Sequence, residues 1–353
     1  MKVVQWATGA MGRTCLQAVI DSPQHELAGL FVYGERKAGK DAGEIARRDP
    51  VGVTATRNID DILALDADVV IHAARLDPPF DRHDEDILRL LRAGKNVLSI
   101  NGGSYPPHWP ADRQARFREA GEAGGATFMG AGLNPGFAAE KLAVLATGVC
   151  RSVTQVSLSE TVDCRAVKSP EYVFDVIGFG ADVDAIDPND PDWVPGQTMN
   201  ALFEEVVACV AARLGWSLEG VRTAHALKPA ESPLDIAAGR IEAGRAARID
   251  WRWIARASGA DRVELHIAWT MEEPGPDSAE PGLWSIRVEG EPCVAITFGL
   301  ENPAGWTERV SPEMLGVAGA VLNALPHIVA APPGLAETPA YVPWQAVADT
   351  QPS

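Results

Sequence analysis

The 353-residue chain is poor in positive charge: 31 lysines and arginines stand against 48 aspartates and glutamates, a formal net charge of −17. The resulting negative field repels nucleic-acid phosphates and anionic lipid, so neither is an expected partner. No apolar run reaches the roughly 18 residues of a membrane span. The start, Met1 to Gly9, lacks both the apolar region and the small-residue cleavage site of a secretory leader. The five cysteines (Cys15, Cys150, Cys164, Cys209, Cys293) are scattered, odd in number and form no C-x-x-C pair, which argues against a disulfide framework or a zinc site. The histidines have no H-x-H or H-x-x-x-H partner, so no catalytic metal is expected. These absences favour a cytoplasmic protein handling a small, uncharged or locally steered molecule.

What is present is ordinary for a globular protein, with 46% hydrophobic and 22% charged residues. The length suits two domains. From residue 2 to about 148, short apolar runs (Val3 to Trp6, Leu27 to Tyr33, Val69 to Ala74, Val97 to Ile100, Ala126 to Ala131) alternate with helical patterns (Met11 to Ile20, Asp84 to Arg92, Ala111 to Ala123). That alternation predicts an α/β, Rossmann-type doubly wound parallel sheet. After Cys150 the texture changes. Val153 to Val162 reads as a strand and Leu202 to Leu214 as a helix closed by Gly215. Three segments then alternate with period two: Ile249, Trp251 and Trp253 oppose Arg248, Asp250 and Arg252, and Val263 to Trp269 and Trp284 to Val288 repeat the pattern. They predict a second α+β domain with a mostly antiparallel sheet. The expected boundaries are 1–148 for the dinucleotide-binding domain, 149–330 for a substrate-binding and dimerisation domain that ends in a helix from Pro312 to about Ile328, and 331–353 for a proline-rich tail.

Asp182, Asp184, Asp187, Asp190 and Asp192 crowd the stretch 180–196. The D-x-D-x-D-G spacing and closing glutamate of a calcium loop are missing, so a solvated excursion loop, a lid or a flap is expected instead.

The first strand runs into Ala7-Thr8-Gly9-Ala10-Met11-Gly12-Arg13, a G-x-G-x-x-G pattern with alanine at its first position. Gly9 lets the backbone approach a pyrophosphate, Gly12 lets the helix pack closely on the strand, and the helix amides face the anion. The strand-turn-helix context makes this a dinucleotide site formed by Gly9, Ala10, Met11, Gly12 and Arg13. The second strand ends near Glu35, Arg36 and Lys37, where the adenosine ribose belongs. Glu35 suits the free 2′-hydroxyl of NAD; Arg36 and Lys37 suit the 2′-phosphate of NADP, which two cations against one anion favour, with NAD possible. Ala73, Ala74, Asn101 and Gly102 lie at the carboxyl ends of strands four and five, where small residues admit a nicotinamide ribose. His72 is read first as a packed strand residue. Asn134, in Asn134-Pro135-Gly136-Phe137, sits on the same edge.

The Gly9-x-x-Gly12 turn, residues 39–44, the strand ends near 73 and 101, and Asn134 to Phe137 resemble the dihydrodipicolinate reductase superfamily. Trp6 to Gly9, Gly178-Phe179-Gly180 and the later strands resemble its 2,4-diaminopentanoate dehydrogenase and native amine dehydrogenase branch, to about residue 343. The resemblance implies a Rossmann domain, a dimerising sheet domain that makes a homodimer, NAD(P) as hydride carrier, and interconversion of a carbonyl plus ammonia with an amine. It also implies a pocket near Tyr172, Phe174 and Phe179. That branch carries a glutamate just after strand five, where its carboxylate handles ammonia and the imine proton; this chain has Asn101, Gly102 and Gly103. Replacement proton donors are sought in Tyr105 and His108, one loop on, with Asn101 beside them and His266 a conceivable pocket residue.

The expected function is therefore an NAD(P)-dependent oxidoreductase acting on a C=O or C=N carbon of a small carbonyl, imine or amine substrate, amine dehydrogenase-like with altered proton handling. A carbonyl or preformed-imine reductase without an ammonia site, and a non-catalytic dinucleotide-binding sensor, are the alternatives.

Overall fold

β1 (Lys2–Trp6), β2 (Glu26–Phe31), β3 (Ala55–Thr56), β4 (Val69–His72), β5 (Asn96–Ser99) and β6 (Thr127–Gly130) are short and mostly apolar. Strands covered on both faces read this way. In the computed structural model, which describes residues 1–273, 283–308 and 310–341, they pair in parallel in the order β6-β5-β4-β1-β2-β3. The order reverses between β1 and β4, the point at which such sheets open a crevice at their carboxyl edge. The intervening helices are α1 (Ala10–Asp21), α2 (Ala42–Ala46), α3 (Ile59–Leu63), α4 (Asp84–Arg92) and α5 (Ala111–Gly124). Successive strand residues serve opposite layers: Val4, Trp6 and Val70 join Leu88, Leu91 and Phe117 in one core, while Val3, Val69 and Ile71 join Cys15 and Val19 in another.

A second compact unit holds residues 76–82 and 137–304. It starts with a π-helical turn at Ala138–Ala143 that continues into α6 (Val144–Ala146). β7 (Ser152–Asp163), α7 (Val194–Arg213), β8 (Leu218–Thr223), β9 (Ala226–Pro229), β10 (Leu234–Ile236), β11 (Gly239–Ile241), β12 (Ala246–Ala257), β13 (Ala260–Thr270), β14 (Leu283–Glu291) and β15 (Val294–Gly299) come next. The large sheet has the order β15-β14-β7-β13-β12-β8, with β9 beside β12. Its pairs are antiparallel except β7 with β13. Trp251, Trp253, Leu265, Ile267, Trp284 and Ile286 are buried, as the period-two pattern predicts. A polar insert lies beneath α7: His225 Nδ1 accepts from the Arg252 N–H at 2.9 Å, its Nε2 lies 3.0 Å from Asn200 Oδ1, and Trp253 Nε1 donates to that same oxygen at 2.8 Å.

The chain then returns to the first unit. α8 (Pro312–Ala330) and β16 (Gly334–Leu335) belong with residues 1–75 and 83–136 rather than with the second unit or a loose tail. β16 pairs in parallel with β6, Ala318, Val321, Leu325 and Ile328 enter the core containing Val3 and Val69, and Arg48 joins Asp21 of α1 to Glu308. The expected boundaries at 149–330 and 331–353 thus differ from the packing, because an apolar helix pattern does not state which sheet it covers. The remainder of that tail, and the limit of the resemblance near residue 343, lie outside the described residues. By length and composition α8 is also apolar enough to cross a membrane, although Glu313, Asn323 and His327 interrupt any continuous apolar run. Along 180–196, Asp182, Asp187 and Asp190 each accept the backbone N–H two residues on, a succession of local turns, and α7 begins at Val194, earlier than Leu202.

Two buried histidines set an acid limit on the fold. Burial, then neighbouring His83, pulls His72 down to about 3, and burial pulls His225 down to about 4. Below about pH 6.5 the unfolded chain takes up protons that the folded chain refuses. Stability is therefore full above that pH and falls as pH drops toward 4, by up to about 1.4 kcal/mol per pH unit for each histidine. Denaturant titrations from pH 7 to 4 should show this decline, with a shallower slope in His225→Gln. An unchanged slope would exclude His225 as a source.

Candidate dinucleotide and substrate sites

The turn after β1 is fixed by close backbone packing. A Cβ on Gly12 would lie 2.4 Å from the Ala7 carbonyl oxygen and 3.3 Å from Ala73 Cβ, so only glycine lets α1 sit on the strand. Ala7 takes the position of the pattern's first glycine and has a φ of 70°. A left-handed alanine costs roughly 1–2 kcal/mol. Gly9 is different: a Cβ there would meet nothing within 4 Å. It caps α1 with no side-chain hydrogen bond, and the first-turn amides of a twelve-residue helix point from that open cradle. The residues present therefore fit a pyrophosphate.

The three residues expected at the adenosine ribose separate in the structure. Lys37 folds back and donates from Nζ to Thr8 O at 2.7 Å and Thr8 Oγ1 at 2.9 Å; burial, then the charge of Arg13, lowers its pKa. Glu35 pairs with Arg57 at 3.0 Å. Arg36 is exposed and makes no hydrogen bond or ion pair among the described residues. Sequence reasoning missed the clamp beside them. Trp6 stacks on Phe31 at 3.7 Å and donates from Nε1 to Tyr33 Oη at 2.9 Å; Tyr33 Oη lies 3.3 Å from His83 Nδ1, and His83 Nε2 lies 3.1 Å from Arg75 O. This ties together the loops after β2 and β4, whose residues are too far apart in sequence to leave a local signal. His72 is a packed strand residue, 2% exposed and stacked on Trp6.

The next edge is almost wholly backbone. Ala73 N–H donates to Trp6 O at 3.0 Å, and Asn101 uses its side-chain amide to hold Ala74 O. Gly102 and Gly103 both have a φ of 84°. A Cβ on Gly130 would lie 2.4 Å from Gly102 O, and one on Gly103 would lie 2.5 Å from the Phe128 ring. Asn101 is thus a brace between strand ends. Tyr105 and His108 lie on and beside a short 3₁₀ turn, Pro106–His108, both half-buried, and Asn134 is half-buried after β6.

The second unit holds a cavity of about 710 Å³. Phe174, Phe179, Trp193 and Ile241 are among its walls; Tyr172 and His266 are not. His266 instead faces Asp250 at 3.1 Å, in a cluster with Arg248 and Lys228. The Gly178-Phe179-Gly180 motif shapes the walls: φ is 95° at Gly178 and 76° at Gly180, and Cβ atoms there would approach Trp193 to 2.6 Å and Phe174 to 3.2 Å. On the rim, Arg245 pairs with Asp182 at 2.9 Å and Arg240 with Glu242 at 2.9 Å, whereas Asp175 has no ion pair among the described residues. Another charged residue passed over by the sequence reading is Lys141, on the π-helical turn; it is 5% exposed, and burial pulls its pKa down to about 8. Nothing but a lysine among alanines and leucines marked it.

Residues 2–77 match the family model described as dihydrodipicolinate reductase, N-terminus. Over 347 residues the chain is 25% identical to an amine dehydrogenase of Streptomyces virginiae, spanning 95% of this chain and 94% of the relative. It is 24% identical over 341 residues to the 2,4-diaminopentanoate dehydrogenase of Acetoanaerobium sticklandii, spanning 95% and 91%. The solved amine dehydrogenase of Mycobacterium smegmatis superposes with a TM-score of 0.77 at 17% identity, over 98% of this chain and 97% of that one. The expected resemblance, the two-part fold class and an enzyme of the dehydrogenase kind are borne out.

Gly9 and Gly12 should separate binding from folding. Gly9→Val is expected to keep the melting temperature within about 2 °C, about 0.5 kcal/mol, and to abolish NAD(P)H binding in a fluorescence titration. Gly12→Val, driven into the Ala7 carbonyl, should lower stability by several kcal/mol, of the order seen for severe overpacking. Equal cofactor affinity in wild type and Gly9→Val would remove the site from this turn.

Proposed function

We propose that this protein is an NAD(P)-dependent oxidoreductase that reduces a C=O or C=N carbon of a small organic substrate, amine dehydrogenase-like but without that branch's glutamate. The observation that carries this reading is the open Gly9 cradle at the amino end of α1, beside the reversal of strand order. The nicotinamide, when bound, supplies the hydride. Gly9 to Arg13 hold the pyrophosphate. Arg36, exposed and uncommitted next to the second strand, takes the 2′-phosphate of NADP, while Glu35 is occupied by Arg57. Ala73, Ala74, Asn101 and Gly102 give the nicotinamide ribose a smooth backbone edge, with Asn134 contributing its amide. Tyr105 and His108, one loop on from Gly102, are the candidate proton donors.

Phe174, Phe179 and Trp193 give the substrate cavity aromatic walls, and Asp175 offers the nitrogen of an amine or iminium a carboxylate. An aromatic face and an uncommitted carboxylate both favour an organic cation.

A second reading, direct carbonyl or preformed-imine reduction, is favoured by Asn101, Gly102 and Gly103. Those residues offer no group that takes a proton from ammonium and returns it as a carbinolamine loses water. On a carbonyl panel with NADPH, ammonium-dependent turnover should fall at least about 100-fold below a glutamate-bearing relative, since a positioned acid-base group contributes about 10²- to 10⁴-fold. Gly102→Glu should not restore it, because the left-handed φ at that position strains any side chain. Robust amination by the unmodified protein would refute this account and direct mutagenesis to His108 and Tyr105. For the cofactor, Arg36→Ala should weaken NADPH binding about 10-fold or more and leave NADH unchanged, as loss of a charge-assisted contact requires. An equal loss for both would end the NADP assignment.

A further inference from the structure

Three of the five cysteines are sealed in the interior: Cys15, Cys164 and Cys209 are buried, and burial pushes the thiols of Cys15 and Cys164 up to about 12. The other two reach solvent, Cys150 half-buried and Cys293 exposed. Cys150 follows the 3₁₀ turn Thr147–Val149 and leads into β7, while Cys293 lies in the turn between β14 and β15. β7 and β14 are antiparallel neighbours, with Ser152 opposite Glu291, and beyond that pair the Arg151 N–H still donates to Glu291 O. The register therefore carries Cys150 alongside the Pro292-Cys293 step. Cys150 Sγ lies 3.1 Å from Pro292 O. Standard peptide dimensions put the next Cα roughly 2.8 Å from a carbonyl oxygen. The sulfur is thus within about 6 Å of Cys293 Cα. The register that sets Val153 opposite Gly290 and Ser152 opposite Glu291, continued past β14, sets Cys150 opposite Cys293. Opposed antiparallel residues have Cα atoms about 4.5–5.5 Å apart, within the roughly 4.4–6.8 Å of a bridged pair. The Cys293 thiol now rests against Glu289 Oε2 at 3.2 Å and Gly290 O at 3.4 Å. Neither contact buries it, so rotation about its own χ1 is open.

We propose that Cys150 and Cys293 form a reversible intramolecular disulfide, a redox modification site that ties the start of β7 to the β14–β15 turn. Each thiol gives up its hydrogen and one S–S bond forms. A peroxide accepts the two electrons and two protons, its O–O bond breaking to yield water. Exposure leaves the bond accessible to thiols, which return it to the dithiol by exchange. The proposal is independent of the catalytic reading, since neither cysteine lies in the cofactor turn or lines the second unit's cavity.

The test uses the full-length protein treated with hydrogen peroxide, with alkylation of free thiols and non-reducing peptide mass spectrometry. Two thiols should react with a thiol reagent in the native protein before oxidation and none after. A single crosslinked peptide containing Cys150 and Cys293 should appear, about 2 Da lighter than its reduced parts because two hydrogens leave, and dithiothreitol should restore both thiols. Cys150→Ser and Cys293→Ser should each abolish the crosslink. Both sit outside the core, and the unmodified protein's own labelling pattern supplies a readout that needs no variant. Two thiols still reactive after oxidation, a crosslink to a buried cysteine, or a bond joining two chains would each overturn the proposal.

Discussion

The packing of α1 on β1 depends on one backbone contact, the Ala7 carbonyl against the Cα of Gly12. No side chain fits between them, and Ala7 accepts a left-handed conformation to bring the contact about. The shape of the first unit's carboxyl edge is a consequence. With the helix seated so low, its free amides open onto that edge of the sheet, and the neighbouring strand end must be small, which Ala73 satisfies. The same close approach recurs at the far side of the edge, where Gly102, Gly103 and Gly130 meet backbone to backbone or backbone to ring. A surface built this way is smooth and rich in amides and carbonyls. It suits a ligand that is held along its length, and it leaves acid-base chemistry to side chains on adjoining loops.

The charge distribution obeys the same division. The chain as a whole is strongly acidic, yet Arg13, Arg36, Lys37 and Arg57 gather around the turn after β1 and the end of β2. Glu35 opposes them and is paired with Arg57. The proposed dinucleotide, an anion, would thus be attracted at short range by a protein that repels polyanions at long range, where salt screens most of the field in any case. Lys37 serves as part of the turn: its ammonium sits on Thr8 and holds the loop that leads to Gly9.

Much of this architecture is legible in the residues alone. α4 spans Asp84–Arg92 as its acidic first turn and apolar spacing indicate, and β1, β4, β5 and β6 fall within a residue or two of their apolar runs. The close helix-on-strand packing at Gly12 is legible too, because that position of the turn is set by local geometry. Long-range choices are not. α8 has an apolar pattern that would suit either sheet, and β16 is two residues long, too short for any periodicity to show. Lys37 and Arg36 are adjacent in sequence and equivalent in charge, yet one is bound to Thr8 and the other has no partner among the described residues, a distinction that depends on where a loop folds. His266 alternates to the polar face as expected, but what lies opposite it, Asp250 with Arg248 and Lys228, is decided by strand register across β12, β13 and β9.

The missing carboxylate after β5 has a structural cause beyond one exchanged side chain. Asn101 is committed to the Ala74 carbonyl, and losing its amide would remove that brace between the segments that follow β4 and β5. Gly102 and Gly103 are both left-handed, and the chain passes there within contact distance of Gly130 and Phe128. A glutamate at any of the three positions must therefore displace a brace, adopt a strained backbone or push into a ring. The loop after β5 is laid out for close packing in its backbone as well as in its side chains. Charge for handling a nitrogen centre has to come from elsewhere in the chain. Under the proposed function, Asp175, which lines the aromatic pocket of the second unit and forms no ion pair among the described residues, is the candidate for that charge.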